Sequence, residues 1–166
     1  MAPAVDFSGA AMCVFRPFCP IVSVAVFYSL LAVALEPGGL YIAGDEFTFE
    51  QAAQRALSEN VTGQRFFVLV LPPAARPLGR EASGLAAALR NEVMTARGVL
   101  LVCQRDIASG AIDGAALVPG VVAVRGWPPP DFDTWPPDQL YYPGEDPARL
   151  PQPVEQLRRA RAVCSP

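Results

Sequence analysis

Histidine and lysine are absent from this sequence, and all 13 basic residues are arginine. Histidine is the usual general base and zinc ligand of enzymes, and lysine is the residue that forms Schiff bases. The chain by itself can build none of these sites. It also has no glycine-rich phosphate-binding fingerprint and no serine in a G-x-S-x-G turn. We predict a protein without a metal site or a cofactor of its own.

Charge is also scarce, because charged residues make up 17% of the chain and the formal net charge is -3. A domain that binds nucleic acid normally carries a basic stripe, and the sequence has none. A hydrophobic content of 52% argues against disorder, and 166 residues suffice for one domain with a core. The composition predicts a folded single domain that does not bind nucleic acid.

A run without charges, 17–35, follows Arg16 near the start of the chain. Ala32, Val33 and Ala34 supply the small-x-small pattern of a cleavage site, so we interpret 1–34 as a secretory signal peptide. A second interpretation stays open, since the run is almost long enough to span a bilayer as an uncleaved anchor. The expected location is the periplasm or the exterior, or the membrane if residues 17–35 stay attached.

Short apolar runs alternate with helical patterns along the middle of the chain. We predict four strands, at 40–43, 66–71, 99–102 and 121–124. The last three are apolar on both faces, as strands of a covered parallel sheet are. This order predicts an α/β fold, a small three-layer sandwich with a mostly parallel four-stranded sheet.

Two helices are predicted between these strands. Thr48 and Gln51 match a capping box that begins the first helix, which ends near Asn60. The second helix is predicted over 79–97, with Gly98 as its left-handed C-terminal cap. Both helices present one apolar face, which is expected to pack on the sheet.

The composition changes after Trp127, because residues 127–153 contain nine prolines. Proline removes backbone donors and fixes φ, so we predict an extended arm that packs on the domain. A short helix, 154–163, follows, and its three arginines, Arg158, Arg159 and Arg161, are predicted to be exposed. The predicted organisation is a signal segment 1–34, an α/β domain 38–126, and the arm with its helix, 127–166.

Aromatic residues of the arm are candidate contacts for a partner: Trp135, Tyr141 and Tyr142. Tryptophan and tyrosine often anchor protein interfaces. The alternative is that aromatic side chains of this region fold back over an exposed edge of the sheet. We favour this alternative for Trp127, which directly follows the last strand.

The predicted mature chain keeps two cysteines, Cys103 and Cys164. In an oxidising compartment such a pair points to a disulfide, which would stabilise the fold by roughly 4 kcal/mol and tie the arm to the sheet. An inert buried cysteine and a reactive thiol at Cys103 stay open as alternatives. Cys103 ends a predicted strand of a parallel sheet, where functional sites are common, and Arg105 would lower the pKa of its thiol.

Two pairs of carboxylates are further candidates, Asp45 with Glu46 and Asp131 with Asp133. Paired carboxylates can hold a metal or transfer protons. Adjacent acidic residues at a strand-to-helix turn more often start a helix and face water. A hydrolase that uses these carboxylates is therefore the least favoured class of function.

Residues 97–126 resemble the corresponding part of DsrE-like proteins, a family of small α/β sulfur-relay domains. The shared features are a buried strand ending in Cys103, a polar turn with a short helix, Ile112-Asp113, and Pro119-Gly120 before the next strand. The resemblance implies a flavodoxin- or DsrE-like sandwich, and it maps the family's persulfide-carrying cysteine to Cys103. The secretion signal and the proline-rich arm depart from the family's pattern.

We therefore expect an exported binding or assembly accessory of the cell envelope without intrinsic catalysis. The expected partner is another envelope protein. Nucleic acid is not expected, and contact with a membrane is expected only through the N-terminal segment if it stays uncleaved. The alternative function is a DsrE-like thiol or sulfur carrier that acts through Cys103.

Overall fold

Strands and helices alternate along the computed structural model, which describes residues 39–60, 63–127, 140–152 and 154–166. The strands are β1, Leu40–Ala43, β2, Phe66–Val70, β3, Gly98–Cys103, and β4, Val122–Val124. The helices are α1, Phe49–Glu59, α2, Gly84–Thr95, α3, Gln104–Ala108, and α4, Val154–Val163. All four predicted strands are present, each end within one residue of its predicted position.

The four strands form one wholly parallel sheet in the order β1-β2-β3-β4. Leu40 lies opposite Phe67, and Val70 lies opposite Val102. Each strand thus pairs with its neighbour in the chain, and β1 and β4 are the two edges. The described strands contain no reversal of order, the point at which open α/β sheets usually bind their ligands.

Side chains that alternate along the strands fill two separate cores. On one face the sheet packs against α1 and α2, through buried residues that include Phe49, Ala53, Phe66, Val68, Val93 and Leu100. On the other face it packs against α4, through residues that include Phe67, Leu69, Leu101, Leu157 and Ala160. The predicted three-layer α/β sandwich with a parallel four-stranded sheet is therefore confirmed.

The first helix, α1, begins as the sequence predicts. The Thr48 hydroxyl accepts a hydrogen bond from the Gln51 backbone N–H, and the Gln51 side chain accepts one from the Thr48 N–H. These two bonds form the predicted capping box and satisfy donors that the first helical turn leaves free.

The second helix, α2, begins at Gly84 rather than at the predicted residue 79. The preceding residues are held in other contacts, since Gly79 bridges to Leu117 and the Arg80 N–H donates to the Ala116 carbonyl. The buried Arg90 guanidinium donates to the carbonyls of Pro77 and Gly79. These tertiary contacts outweigh the helical pattern of residues 79–83.

The turn between α2 and β3 differs by one residue from the prediction. Arg97 has the positive φ, 69°, whereas Gly98 is the first residue of β3. Gly98 is needed for space, because a Cβ there would lie 2.5 Å from Val93 Cγ1 and 2.7 Å from Phe66 Cε2. The glycine thus allows β3 to approach α2 and β2 closely.

Two predicted segments fall outside the described residues. The signal segment 1–34 is one, and the proline-rich stretch 128–139 is the other, so both stay predictions. The described residues all belong to one compact unit, Ala34–Pro166, in which α4 covers the second face of the sheet. None of the helices in the described ranges has the length and hydrophobicity of a membrane span.

Candidate functional site

The two cysteines of the predicted mature chain lie side by side. Cys103 is the last residue of β3 and the N-cap of α3, whereas Cys164 directly follows α4. Their Cα atoms are 5.1 Å apart and their sulfurs are at disulfide distance. Both residues are fully buried in the core between the sheet and α4. The pair therefore connects the carboxyl end of the sheet to the end of the helix that covers it.

Arg105, the residue expected to influence Cys103, belongs to an ion pair of its own. Its Nε lies 3.5 Å from Asp106 Oδ1, in the helix that follows the cysteine. The charge of Arg105 is thus largely compensated by its neighbour. Asp106 is buried, and its Oδ2 has no hydrogen-bond partner among the described residues.

The prediction that all three arginines of the terminal helix are exposed is wrong for Arg161. Its side chain is only 2% exposed, whereas Arg158 and Arg159 do face solvent. Arg161 Nη2 donates to Glu145 Oε2 at 2.6 Å and to the Leu140 carbonyl at 2.9 Å. The reason is helical spacing, because Arg161 shares its face of α4 with buried Leu157 and Ala160.

The aromatic candidates occupy different environments. Tyr142 is buried, its hydroxyl donates to the Gly126 carbonyl, and the guanidinium carbons of Arg125 and Arg161 lie 5.0 and 4.9 Å from its ring centre. Tyr141 is half-buried, and its hydroxyl accepts from Gln152 Nε2. Trp135 lies outside the described residues.

Trp127 packs next to Tyr142, with their rings edge to face and 6.2 Å between centres. Its backbone N–H donates to the Ser165 hydroxyl, which joins it to the end of the chain. The half-buried ring thus lies against Tyr142, in the segment that follows β4, and its packing over the sheet edge stays a prediction.

Of the two carboxylate pairs, Asp45 and Glu46 lie in the turn between β1 and α1 and are exposed. They take part in none of the ion pairs found in the described ranges. Asp131 and Asp133 lie outside those ranges. No group of three or more metal-binding side chains occurs within the part of the chain that the structure describes.

A groove of about 980 Å³ runs along β1, and we call it the β1 groove. Its floor is the edge of β1, its walls are α1 and α4, and the Asp45–Glu46 turn lies at the carboxyl end of the strand. Lining residues from the walls include Ala52, Arg55, Glu59, Gln156, Arg159 and Val163. The sequence pattern did not reveal this groove, because its position depends on which strand is at the edge.

Most charges on the groove walls are already paired. Arg55 Nε lies 2.8 Å from Glu59 Oε1, and Arg158 Nη1 lies 3.6 Å from Glu155 Oε2. Arg159, Asp45 and Glu46 remain outside the ion pairs of the described residues.

Tyr41 lines the groove next to one of these pairs. Burial raises the pKa of Tyr41, and the negative charge of Glu59 and a hydrogen bond to Glu59 raise this pKa further.

One wall residue has an unusual environment. Gln156 of α4 is 7% exposed, and its Oε1 is buried without a hydrogen-bond partner in the described residues. A buried acceptor that loses its water without gaining a donor lowers the stability of the fold.

Comparison with known proteins adds no relative to this geometry: the chain matches no family model, and no curated protein is similar to it in sequence. The resemblance of residues 97–126 to DsrE-like domains therefore stays a prediction. The site has to be interpreted from its own contacts.

Proposed function

We propose that this protein is an exported accessory of the cell envelope that binds another envelope protein and catalyses no reaction itself. The observation that carries the proposal is the β1 groove, in which the edge of β1 lies between two helices and pairs with no strand of the described residues. Open strand edges bind other chains readily, so proteins normally cover or block those they do not use. The β1 edge is bordered by apolar and charged side chains, as a binding site is.

The cysteine pair supports the proposed compartment. Cys103 and Cys164 are buried at disulfide distance and are 61 residues apart in the sequence. Disulfides persist in oxidising compartments and are rare in the cytosol. An exported protein would therefore gain from this pair, which fixes the covering helix α4 to β3.

The proposal is tested by photo-crosslinking in the native host, because a chain without lysine offers few sites to amine-reactive reagents. A benzophenone amino acid replaces Phe47, which is exposed and lines the β1 groove. The control position is Leu85, which is also exposed but lies on α2, away from the groove lining. We expect an adduct with an envelope protein from position 47 and none from position 85.

Fractionation of the same cells tests the location. We expect the protein in the periplasm or medium, with an intact mass that lacks residues 1–34. An uncleaved chain in the membrane fraction would support the anchor interpretation. A cytoplasmic protein with no adduct specific to position 47 would contradict the proposed function.

A thiol or sulfur carrier acting through Cys103 is the second candidate. The position of Cys103 favours it, because it ends β3 at the carboxyl edge of the sheet, where parallel α/β proteins place reactive groups. Titration of free thiols in the mature protein, both native and unfolded in denaturant, separates the two functions, because both cysteines are buried in the folded state. No titratable thiol before reduction favours the accessory protein, whereas one reactive thiol at Cys103 favours the carrier.

A further inference from the structure

We propose that the β1 groove binds an extended peptide segment of a partner protein, which adds to the sheet as a fifth strand. The segment carries a basic residue where it passes Asp45 and Glu46. This inference rests on the proposed function, since it states how the envelope partner is bound. Three features of the groove carry it: its backbone groups, its walls and its charges.

The backbone of β1 offers hydrogen bonds on its open side. The Gly39 carbonyl accepts from the Phe67 N–H, and the Ala43 carbonyl accepts from the Leu71 N–H, both at 2.9 Å. Bonds to one neighbour alternate along a parallel strand, so residues 39, 41 and 43 face β2. The N–H and C=O groups of Leu40 and Ile42 therefore point to the open edge. No strand of the described residues pairs with that edge.

The walls of the groove determine which side chains an added strand can carry. Successive side chains of a strand point to opposite faces, so one set would contact α1 and the other α4. Ala52 on α1, and Ala162 and Val163 on α4, are small wall residues that leave room for them. A strand covered on both faces is apolar along its middle. The bound segment should therefore be apolar at several consecutive positions.

The charges of the groove favour a basic segment over a second copy of this chain. Two carboxylates, Asp45 and Glu46, and one guanidinium, Arg159, stand outside the ion pairs of the described residues. Two copies joined edge to edge would bring four such carboxylates together with two guanidiniums. A peptide with arginine or lysine instead neutralises the excess negative charge.

The chain's own undescribed segments fit the groove poorly. If residues 1–34 are removed, as we propose, the four residues 35–38 remain before β1, and they include an acidic residue and no basic one. Residues 128–139 contain three aspartates, five prolines and no basic residue. They would add negative charge, and proline cannot donate to a strand edge.

Peptide selection on the purified mature protein tests the inference. Phage that display random ten-residue peptides are selected on the immobilised protein, and enriched peptides are synthesised and titrated by fluorescence anisotropy. We expect enriched peptides with consecutive apolar residues and at least one arginine or lysine. Failure to enrich any peptide, or enrichment of acidic peptides, would overturn the inference.

Ile42→Pro and Ile42→Ala form a matched pair of variants. Proline removes the N–H that points to the open edge and that no bond to β2 uses, whereas alanine keeps it. We expect Ile42→Pro to weaken peptide binding about tenfold or more and Ile42→Ala to change it less than about threefold. Equal binding by the proline variant and the wild type would exclude strand addition.

Two further measurements do not depend on the folding of the proline variant. Asp45→Asn with Glu46→Gln changes only exposed groups, and we expect about three- to tenfold weaker binding with less salt dependence. N-methylation of every second peptide residue removes the backbone N–H groups on one edge of the bound strand. Binding should be lost when the methylated residues are those whose N–H groups face β1, and kept when the other residues are methylated. Equal effects of both sets would contradict the inference.

Oligomeric state and crosslinking separate the remaining outcomes. A dimer that Ile42→Pro converts to a monomer would assign the edge to a second copy and overturn the peptide inference. If position 47 crosslinks to an envelope protein but no peptide is enriched, the proposed function stands and strand addition alone is rejected. If the protein binds peptides but is found only in the cytoplasm, strand addition stands and the proposed function is rejected.

Discussion

Arg161 and Glu145 form a buried ion pair that joins α4 to the segment following β4. Arg161 Nη2 lies 2.6 Å from Glu145 Oε2, and the two side chains are 2% and 11% exposed. Arg161 also donates to the carbonyls of Arg125 and Leu140 through its two Nη atoms, whereas its buried Nε has no hydrogen-bond partner in the described residues. This pair and the nearby cysteines attach the layer that covers the second face of the sheet.

Replacement of Arg161 by methionine should destabilise the fold strongly. The change leaves Glu145 buried without its counterion, which costs about 3–5 kcal/mol in the free energy of unfolding. Urea unfolding measures this loss. The exposed Arg159→Met on the same helix should cost less than about 0.5 kcal/mol. Addition of Glu145→Gln to Arg161→Met should recover part of the loss, and equal effects of the two arginine variants would refute the role of the pair.

The buried arginine shows how far the sequence predicts this fold. The strands could be located because their runs are apolar on both faces, and α4 has the predicted bounds, Val154–Val163. The helical spacing also places Arg161 on the same face as Leu157 and Ala160, which indicates burial. We predicted an exposed side chain because arginine is charged. Its partner Glu145 lies outside the helix, so the pairing depends on tertiary structure.

The β1 groove could not be predicted for a related reason. Strand patterns identify strands but not their order, and the order decides which edge is open. Several parallel arrangements bury the same apolar runs equally well.

The sequence predicts a left-handed turn before β3 at Gly98, whereas the left-handed residue is Arg97. Gly98 is instead the residue that packs closely against Phe66 and Val93. This close packing depends on tertiary structure, so the sequence pattern could not distinguish the two positions.

Gly98 and Arg97 should respond to substitution in opposite directions. Gly98→Ala places a Cβ against Val93 and Phe66, and overpacking of this kind costs about 1–3 kcal/mol. Arg97→Gly removes the strain of a positive φ, and we expect a gain of roughly 0.5–1 kcal/mol. Thermal unfolding of the two variants and the wild type measures both effects. A neutral or stabilising Gly98→Ala would contradict the close packing at residue 98, and a destabilising Arg97→Gly would contradict the strained turn at residue 97.

Tyr41 should titrate above its ordinary pKa near 10. Burial disfavours the phenolate, and the carboxylate of Glu59 accepts a hydrogen bond from the neutral hydroxyl and repels the anion. The stability that this raised pKa contributes is present below pH 10 and is lost as pH rises through the folded-state pKa. Near-ultraviolet titration of tyrosinate, with Tyr41→Phe to identify the signal, measures the pKa.

Two neighbours of Tyr41 provide opposite controls. Glu59→Gln removes the negative charge, so the pKa of Tyr41 should fall toward its ordinary value. Arg55 lowers the pKa of Tyr41 through its positive charge, so Arg55→Gln should raise it. Shifts of the same sign in both variants would contradict this account of the groove's electrostatics.

Gln156→Met should be neutral or stabilising, although it replaces a polar residue. The Gln156 Oε1 is buried and has no hydrogen-bond partner in the described residues, and methionine has a similar shape without that acceptor. A gain of about 1 kcal/mol is expected from the removal of an unsatisfied group. Urea unfolding measures the change. The control is Gln54→Met, because Gln54 is exposed and, unlike Gln51, does not cap α1. A marked loss of stability would show that the Gln156 amide has a partner in the folded protein.

Loss of the cysteine pair should destabilise the fold strongly while leaving the surface unchanged, because both cysteines are buried. A crosslink between residues 61 apart stabilises a fold by about 4 kcal/mol in the chain-entropy model. Cys103→Ala with Cys164→Ala should therefore unfold at a much lower urea concentration than the oxidised wild type, and wild type unfolded with reductant should resemble the variant. Because both sulfurs are buried, reductant should act on the native protein slowly, at the rate at which α4 opens. Rapid reduction without loss of stability would contradict a structural bond and would favour the thiol-carrier function at Cys103.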